Sequence, residues 1–150
     1  DEKIDLFDQL RPDDVNLVSA CWDSTEMCSV VKKGGIGARD KLVFPYKTNN
    51  YSCECSDELM ETQTLDEVLQ KTQYAGKYID ILDIDCEGAD INILKGLNFN
   101  KYQPSFVAVE LCAGDEELSM FMCERGYSDI AVCGVTVIYE NTDYSKRYTK

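Results

Sequence analysis

The stretch from Tyr78 to Leu111 constrains the fold more than any other part of the chain, because it runs strand, turn, helix and strand in quick succession. Tyr78-Ile79-Asp80-Ile81-Leu82-Asp83-Ile84-Asp85-Cys86 reads as a buried strand whose tip turns acidic. Glu87-Gly88 is a turn, and Ala89 to Leu97 is a helix with Ile91, Leu94 and Leu97 facing inward. Pro104 opens a second apolar run, Ser105 to Leu111, of the kind that sits at the centre of a parallel sheet with both faces covered. Parallel neighbours cannot be joined by a hairpin; they need a crossover such as this helix.

The flanking segments extend the same alternation. Upstream, Thr64 with Glu67 three residues on forms a capping box ahead of the Leu65, Val68, Leu69 stripe, and Gly76 marks that helix's end. Downstream, a helix from Asp115 to Glu124 carries Leu118, Phe121 and Met122 on one face and closes at Gly126-Tyr127. Ile130 to Cys133 and Val135 to Tyr139 read as a hairpin about Gly134. Near the start, an amphipathic helix end at Ile4 to Leu10 is broken by Pro12-Asp13-Asp14. Val15 to Trp22 follows as a short, mostly buried strand. Residues 23–63 read as loop-rich, with a short strand from Lys41 to Tyr46. The glycine cluster Lys32 to Ala38 has no convincing strand before it and no helix after it, so it reads as a surface loop rather than a phosphate cradle. The whole, residues 1–150, is predicted to be one α/β domain with a Rossmann-like sheet and a polar tail at 141–150. In such sheets ligands bind beyond the carboxyl ends of the strands, where Asp83, Asp85 and Glu87 lie.

Composition removes several alternatives. The net charge of −13 repels phosphate backbones and anionic membranes, so nucleic acid is not an expected partner. No apolar run approaches the roughly 18–20 residues needed to span a bilayer. The chain has no histidine, which excludes a Ser-His-Asp triad, a Cys-His dyad and a His-ligated zinc site within it. Its eight cysteines show no C-x-x-C spacing. Their even number and the sequon Asn50-Tyr51-Ser52 fit a secreted or secretory-lumen glycoprotein with some disulfide bonding, the alternative being cytoplasmic with reduced thiols. Cys28, Cys53 and Cys55 lie in polar loops and are the better disulfide candidates, whereas Cys86 and Cys112 suit small buried positions. The opening at Asp1 rather than Met implies an upstream stretch removed or left out.

Asp83 and Asp85 are two apart on a strand, so their side chains share a face, with Glu87 just beyond. Three carboxylates together repel unless a cation, a donor network or a proton intervenes. The bland alternative is that one caps the following helix and the others face water. The run Ile81-Leu82-Asp83-Ile84-Asp85-Cys86-Glu87-Gly88-Ala89-Asp90, leading into Ile93-Leu94-Lys95-Gly96, resembles the I-D-x-E-G-x-E-x-x-x-L-K-G signature of FkbM-type S-adenosylmethionine-dependent methyltransferases. Thr64 to Val68, Val109-Glu110 and Gly126-Tyr127 stand at supporting spacings, and the resemblance spans roughly residues 10–140; Asp90 departs from it where Glu is commoner.

The resemblance implies a class I methyltransferase sheet and methyl transfer to a hydroxyl of a sugar or small metabolite. It implies Asp85 and Glu87 as acceptor-orienting or basic residues, and Ser19 and Ala20 beside the cofactor's adenine at the end of the family's third strand. A divalent cation at Asp83 and Asp85 is a further expectation. The family's glycine-rich cofactor loop after the first strand, and the acid ending its second, have no counterpart in the fourteen residues before Val15. The sheet is therefore expected to lack its first two strands. The strand ending at Asp85 would then have a vacant edge for an upstream fragment or partner subunit to cover. The rival reading is a catalytically silent methyltransferase-like subunit with a structural or interaction role, secreted and disulfide-stabilised.

Overall fold

The computed structural model describes residues 2–17, 19–31, 41–44, 59–86, 88–111 and 116–143. It confirms an α/β chain, but with two four-stranded sheets where one was expected. After helix α1 (Glu2–Leu10), strands β1 (Ala20–Cys21), β2 (Met27–Val31), β3 (Lys41–Val43) and β4 (Leu59–Gln63) form the first sheet, in the order β1-β4-β2-β3. The second contains β5 (Ile81–Ile84), β6 (Phe106–Glu110), β7 (Tyr127–Cys133) and β8 (Thr136–Asn141), in the order β5-β6-β8-β7. Helices α2 (Leu65–Gln70), α3 (Asp90–Lys95), α4 (Phe99–Tyr102) and α5 (Glu116–Glu124) connect them.

The first sheet is the larger departure from the sequence reading. Val15 to Trp22 is not a buried strand: only Ala20 and Cys21 pair, and Val15 and Leu17 are exposed. β1 runs parallel to β4, matching Ala20 with Thr62 and Cys21 with Gln63, rather than joining the β5 sheet. The region read as loop-rich supplies β2 and β4, which pair antiparallel from Met27–Glu61 to Ser29–Leu59. Thr62 anchors that pairing: fully buried, its hydroxyl accepts from the Glu26 N–H at 2.9 Å and donates to the Ser24 carbonyl at 2.8 Å. Cys28 is not a loop cysteine either; it is fully buried in β2 as a free thiol. Of the expected strand at Lys41 to Tyr46, Lys41–Val43 forms as β3, while Tyr46 lies outside the described residues. The glycine cluster, the sequon, Cys53, Cys55 and Cys112 lie outside them as well. Helix α1 forms, but Leu6, Phe7 and Leu10 face solvent.

In the second sheet the order of elements holds, but the strand expected from Tyr78 to Cys86 forms only as Ile81–Ile84 with Ile81 exposed, and the helix before it ends at Gln70 rather than at Gly76. β5 and β6 are parallel from Ile81–Phe106 to Ile84–Val109, and β8 returns antiparallel to β6 and β7. Alternation in β6 and β8 turns Val107, Val109, Val137 and Tyr139 to one face, where Ile93 and Leu94 of α3 and Leu118, Phe121 and Met122 of α5 complete the core. The expected tail begins late, because Asn141 still belongs to β8 and is buried, its Nδ2 donating to the Tyr127 hydroxyl at 3.4 Å. That hydroxyl donates to the Pro104 carbonyl at 2.6 Å, and burial pushes its pKa up to about 12. Among the described residues no helix is long and apolar enough to cross a membrane.

The capping box forms as predicted. The Thr64 hydroxyl accepts from the Glu67 N–H at 3.2 Å, and Glu67 Oε2 accepts from the Thr64 N–H at 2.7 Å. That backbone bond, and then bonds from Thr25 and Thr64 hydroxyls, hold the Glu67 carboxyl below its ordinary value of 4.5. A depressed carboxyl stabilises the fold fully above its unfolded pKa and loses that contribution as pH falls through the folded one. Thermal melts of wild type and Glu67→Gln should therefore differ by a constant margin from neutral pH down to about 4.5, and the margin should close below it.

Candidate functional site

The second sheet sets its acidic tip at the carboxyl end of β5. Exposure alternates along that strand: Ile81 and Asp83 face outward, while Leu82 and Ile84 turn to the core. Asp83, within β5, and Asp85, one residue past its end, are both exposed. On the neighbouring strand, Glu110 lies one residue past the Ile84–Val109 pair and is half-buried. Glu87 lies outside the described residues.

The turn between β5 and α3 is organised by a residue that sequence reasoning treated only as a mild departure. Asp90 is 4% exposed, and its carboxylate reaches back over the turn. Oδ1 accepts from the Cys86 N–H and Oδ2 from the Gly88 N–H, both at 3.0 Å. Gly88 has φ +93°, a left-handed conformation that glycine adopts without the cost a Cβ would bring. No side chain caps α3, whose N-cap is Ala89; Asp90 instead holds the preceding turn, and the part of the bland reading that falls on Glu87 lies outside the described residues. An acid at the first helical position, just after a glycine turn, was the available signal.

The two residues expected to flank the adenine, Ser19 and Ala20, lie at the start of β1 in the first sheet. Ala20 is half-buried, Ser19 is exposed, and the Ser19 side chain hydrogen-bonds the Cys21 thiol, whose pKa burial pushes up. Cys86, expected in a buried position, is an exposed residue with a partly covered sulfur. Desolvation, followed by the charges of Asp90, Cys21 and Asp85, raises its pKa to about 11. A thiol this basic is protonated at neutral pH and is no nucleophile. Its alkylation by iodoacetamide, followed by peptide mass spectrometry, should climb about tenfold per pH unit through pH 9 and beyond, whereas an unperturbed thiol near 9.0 levels off.

Two of the sequence expectations gain no support. Among the described residues no group of three or more Cys, Asp or Glu side chains comes together to hold a metal, and Asp83 and Asp85 both face water. The cysteines at 21, 28, 86, 123 and 133 are free, so no disulfide braces the described fold. Cavities of about 650 and 300 Å³ lie away from the tip, the first below α4 and the α5 end, the second between residues 13–17 and α2. Among the described residues the glycines stand singly, at 76, 88, 96, 126 and 134. What the described residues show at the tip is two exposed carboxylates, Asp83 and Asp85, with no glycine-rich turn among them. The residues present fit S-adenosylmethionine only in part.

Gly96, the last residue of the quoted signature, sits where three backbone segments meet. A Cβ there would stand 2.6 Å from the Trp22 carbonyl oxygen and 3.3 Å from the Leu65 nitrogen. Its own carbonyl accepts from the Asp66 N–H at 3.1 Å, and Trp22 N–H donates to Gln63 at 3.0 Å. The end of α3 is thereby set directly against the β1 exit and the α2 entry, joining the two sheets.

Compared with curated proteins and with solved structures, the chain has no significant match in either. The family comparison does match, over a shorter span than the 10–140 of the sequence reading, one that leaves β1 outside and takes in the capping box, the β5 tip, Asp90, Gly96 and β6. Methyltransferases of this kind draw on S-adenosylmethionine generally. Residues 56–128 match the methyltransferase FkbM domain, the family that the acidic strand tip resembles.

Proposed function

We propose that this chain forms the acceptor side of an S-adenosylmethionine-dependent O-methyltransferase acting on a hydroxyl of a sugar or small metabolite. The observation that carries the reading is the match over residues 56–128, centred on a β5 tip whose Asp85 faces solvent at the carboxyl end of a parallel strand. Asp85, with Glu87, orients the acceptor hydroxyl and receives its proton; without histidine, a carboxylate is the natural base. Ser19 and Ala20 flank the cofactor's adenine. S-adenosylmethionine supplies the methyl group when bound, and the cradle for it comes from a strand that covers the outer edge of β5, contributed by an upstream fragment or a partner subunit. The edge supports this: among the described residues β5 is terminal in its sheet.

The rival, a catalytically silent subunit, is favoured by one observation, the lack of a glycine-rich cradle among the described residues. Calorimetric titration of purified native material with S-adenosylmethionine, after intact-mass analysis, separates the two. Saturable binding with a companion fragment present supports the enzyme, and Asp85→Asn should then keep cofactor binding while losing methyl transfer. Absence of binding, with only this chain in the mass spectrum, would leave the silent subunit.

A further inference from the structure

The β5-β6-β8-β7 sheet ends in two edge strands of opposite character. β5 is bordered by Asp80, Asp83 and Asp85, all exposed. β7 is exposed at every residue after Tyr127; Ile130 and Val132 are 51% and 62% exposed, and Val135, just past the turn, 60%. Residues 127–139 contain one charged side chain, Asp129, in a chain that is 29% charged. Natural edge strands are commonly guarded by lysines, prolines, inward charges or bulges. Here neither lysine nor proline occurs, and the single bulge falls between Asp129 and Ala131. Beyond it, Ala131, Val132 and Cys133 keep regular pairing with Ile138, Val137 and Thr136, so the exposed end of β7 stays a regular strand with its outer N–H and C=O groups unpaired by any described residue.

Charge selects the occupant of that edge. Two copies, each at −13, repel over most approaches. Meeting edge to edge at β5 would set Asp80, Asp83 and Asp85 of each copy against those of the other. At β7 the apposed surfaces carry little charge and considerable apolar area. An antiparallel edge is also its own complement under a two-fold axis, so an identical strand satisfies it without any new sequence. We propose that the chain self-associates through β7, two copies pairing antiparallel about an axis near Ala131 and Val132 to make one continuous sheet. The β5 tips then lie at the two outer ends, leaving both candidate sites and both β5 edges open.

Light scattering coupled to size exclusion, in reductant so that no thiol crosslink contributes, tests this directly. The wild-type chain should give about twice its 17.0 kDa mass at high concentration, and Ile130→Lys or Val132→Lys should return it to a single copy. Both positions are exposed, so circular dichroism of the variants should match wild type. Hydrogen exchange on unmodified protein gives the second readout: amides in 130–133 should exchange more slowly as concentration rises, while those of β5 do not change. A wild-type chain that stays at 17.0 kDa throughout, or a dimer that persists in both lysine variants, would overturn the proposal. Neither outcome depends on cofactor binding, so failure here is distinct from failure of the methyltransferase reading.

Discussion

Replacing Gly96 with alanine is expected to destabilise the protein by about 2–3 kcal/mol, an overpacking cost at the upper end of the usual range. The reason is steric rather than conformational. Gly96 has φ −78°, which any residue adopts, but an added Cβ would meet the Trp22 oxygen at 2.6 Å, with the Ile93 oxygen and Leu65 nitrogen at 3.3 Å. All three are backbone atoms, so no side chain can swing aside. Relief requires the end of α3 to back away from the β1 exit, which weakens the Asp66–Gly96 hydrogen bond and the seam between the sheets. Alanine's lower unfolded-state entropy returns only about 0.4–1 kcal/mol. Gly134→Ala is the control: its Cβ would meet nothing within 4 Å, but φ is +66°, so it should cost about 1–2 kcal/mol from conformation alone. Urea denaturation of both variants measures the difference, and a smaller loss at Gly96 than at Gly134 would refute the close-approach account.

Asp90→Ala should cost more, about 3–5 kcal/mol, because it removes two hydrogen bonds to a charged acceptor, each worth about 1.5–3 kcal/mol. The Cys86 and Gly88 N–H groups would lose the carboxylate that holds the turn, in a site only 4% exposed. Asp90→Asn, which keeps one acceptor oxygen, should fall between alanine and wild type. Chemical denaturation gives the ranking, and hydrogen exchange localises it: the amides of Cys86 and Gly88 should lose protection first. If exchange there is unchanged in Asp90→Ala, the turn is held by something else. Because this turn sets Asp85, loosening it is also expected to weaken any acceptor binding before the fold as a whole is lost.

Much of the second sheet was legible because its signals are local. The Thr64–Glu67 capping box, the Leu118, Phe121, Met122 face of α5 and the hairpin about Gly134 each depend on residues within a few positions of one another, and all appear as read. The parallel pair β5–β6 was legible from two apolar runs separated by a helical pattern. The first sheet was not. β2 and β4 are short, with polar residues such as Ser29, Glu61 and Gln63 among their apolar ones, and no strict alternation marks them. The buried position of Thr62 depends on Ser24 and Glu26, far away in sequence.

The candidate site divides along the same line. By itself the sequence determined that an acidic tip with Asp83 and Asp85 would stand exposed at a strand's carboxyl end, since a charged pair alternating with apolar residues turns to water. It also determined the family match over residues 56–128, which rests on residue types at fixed spacing. Tertiary structure alone decided that β1 would pair with β4, that Asp90 would be the carboxylate to turn inward, and that Gly96 would touch Trp22. Those outcomes depend on burial and backbone approach between segments distant in the chain, and such contacts leave no periodic trace in the sequence of either segment.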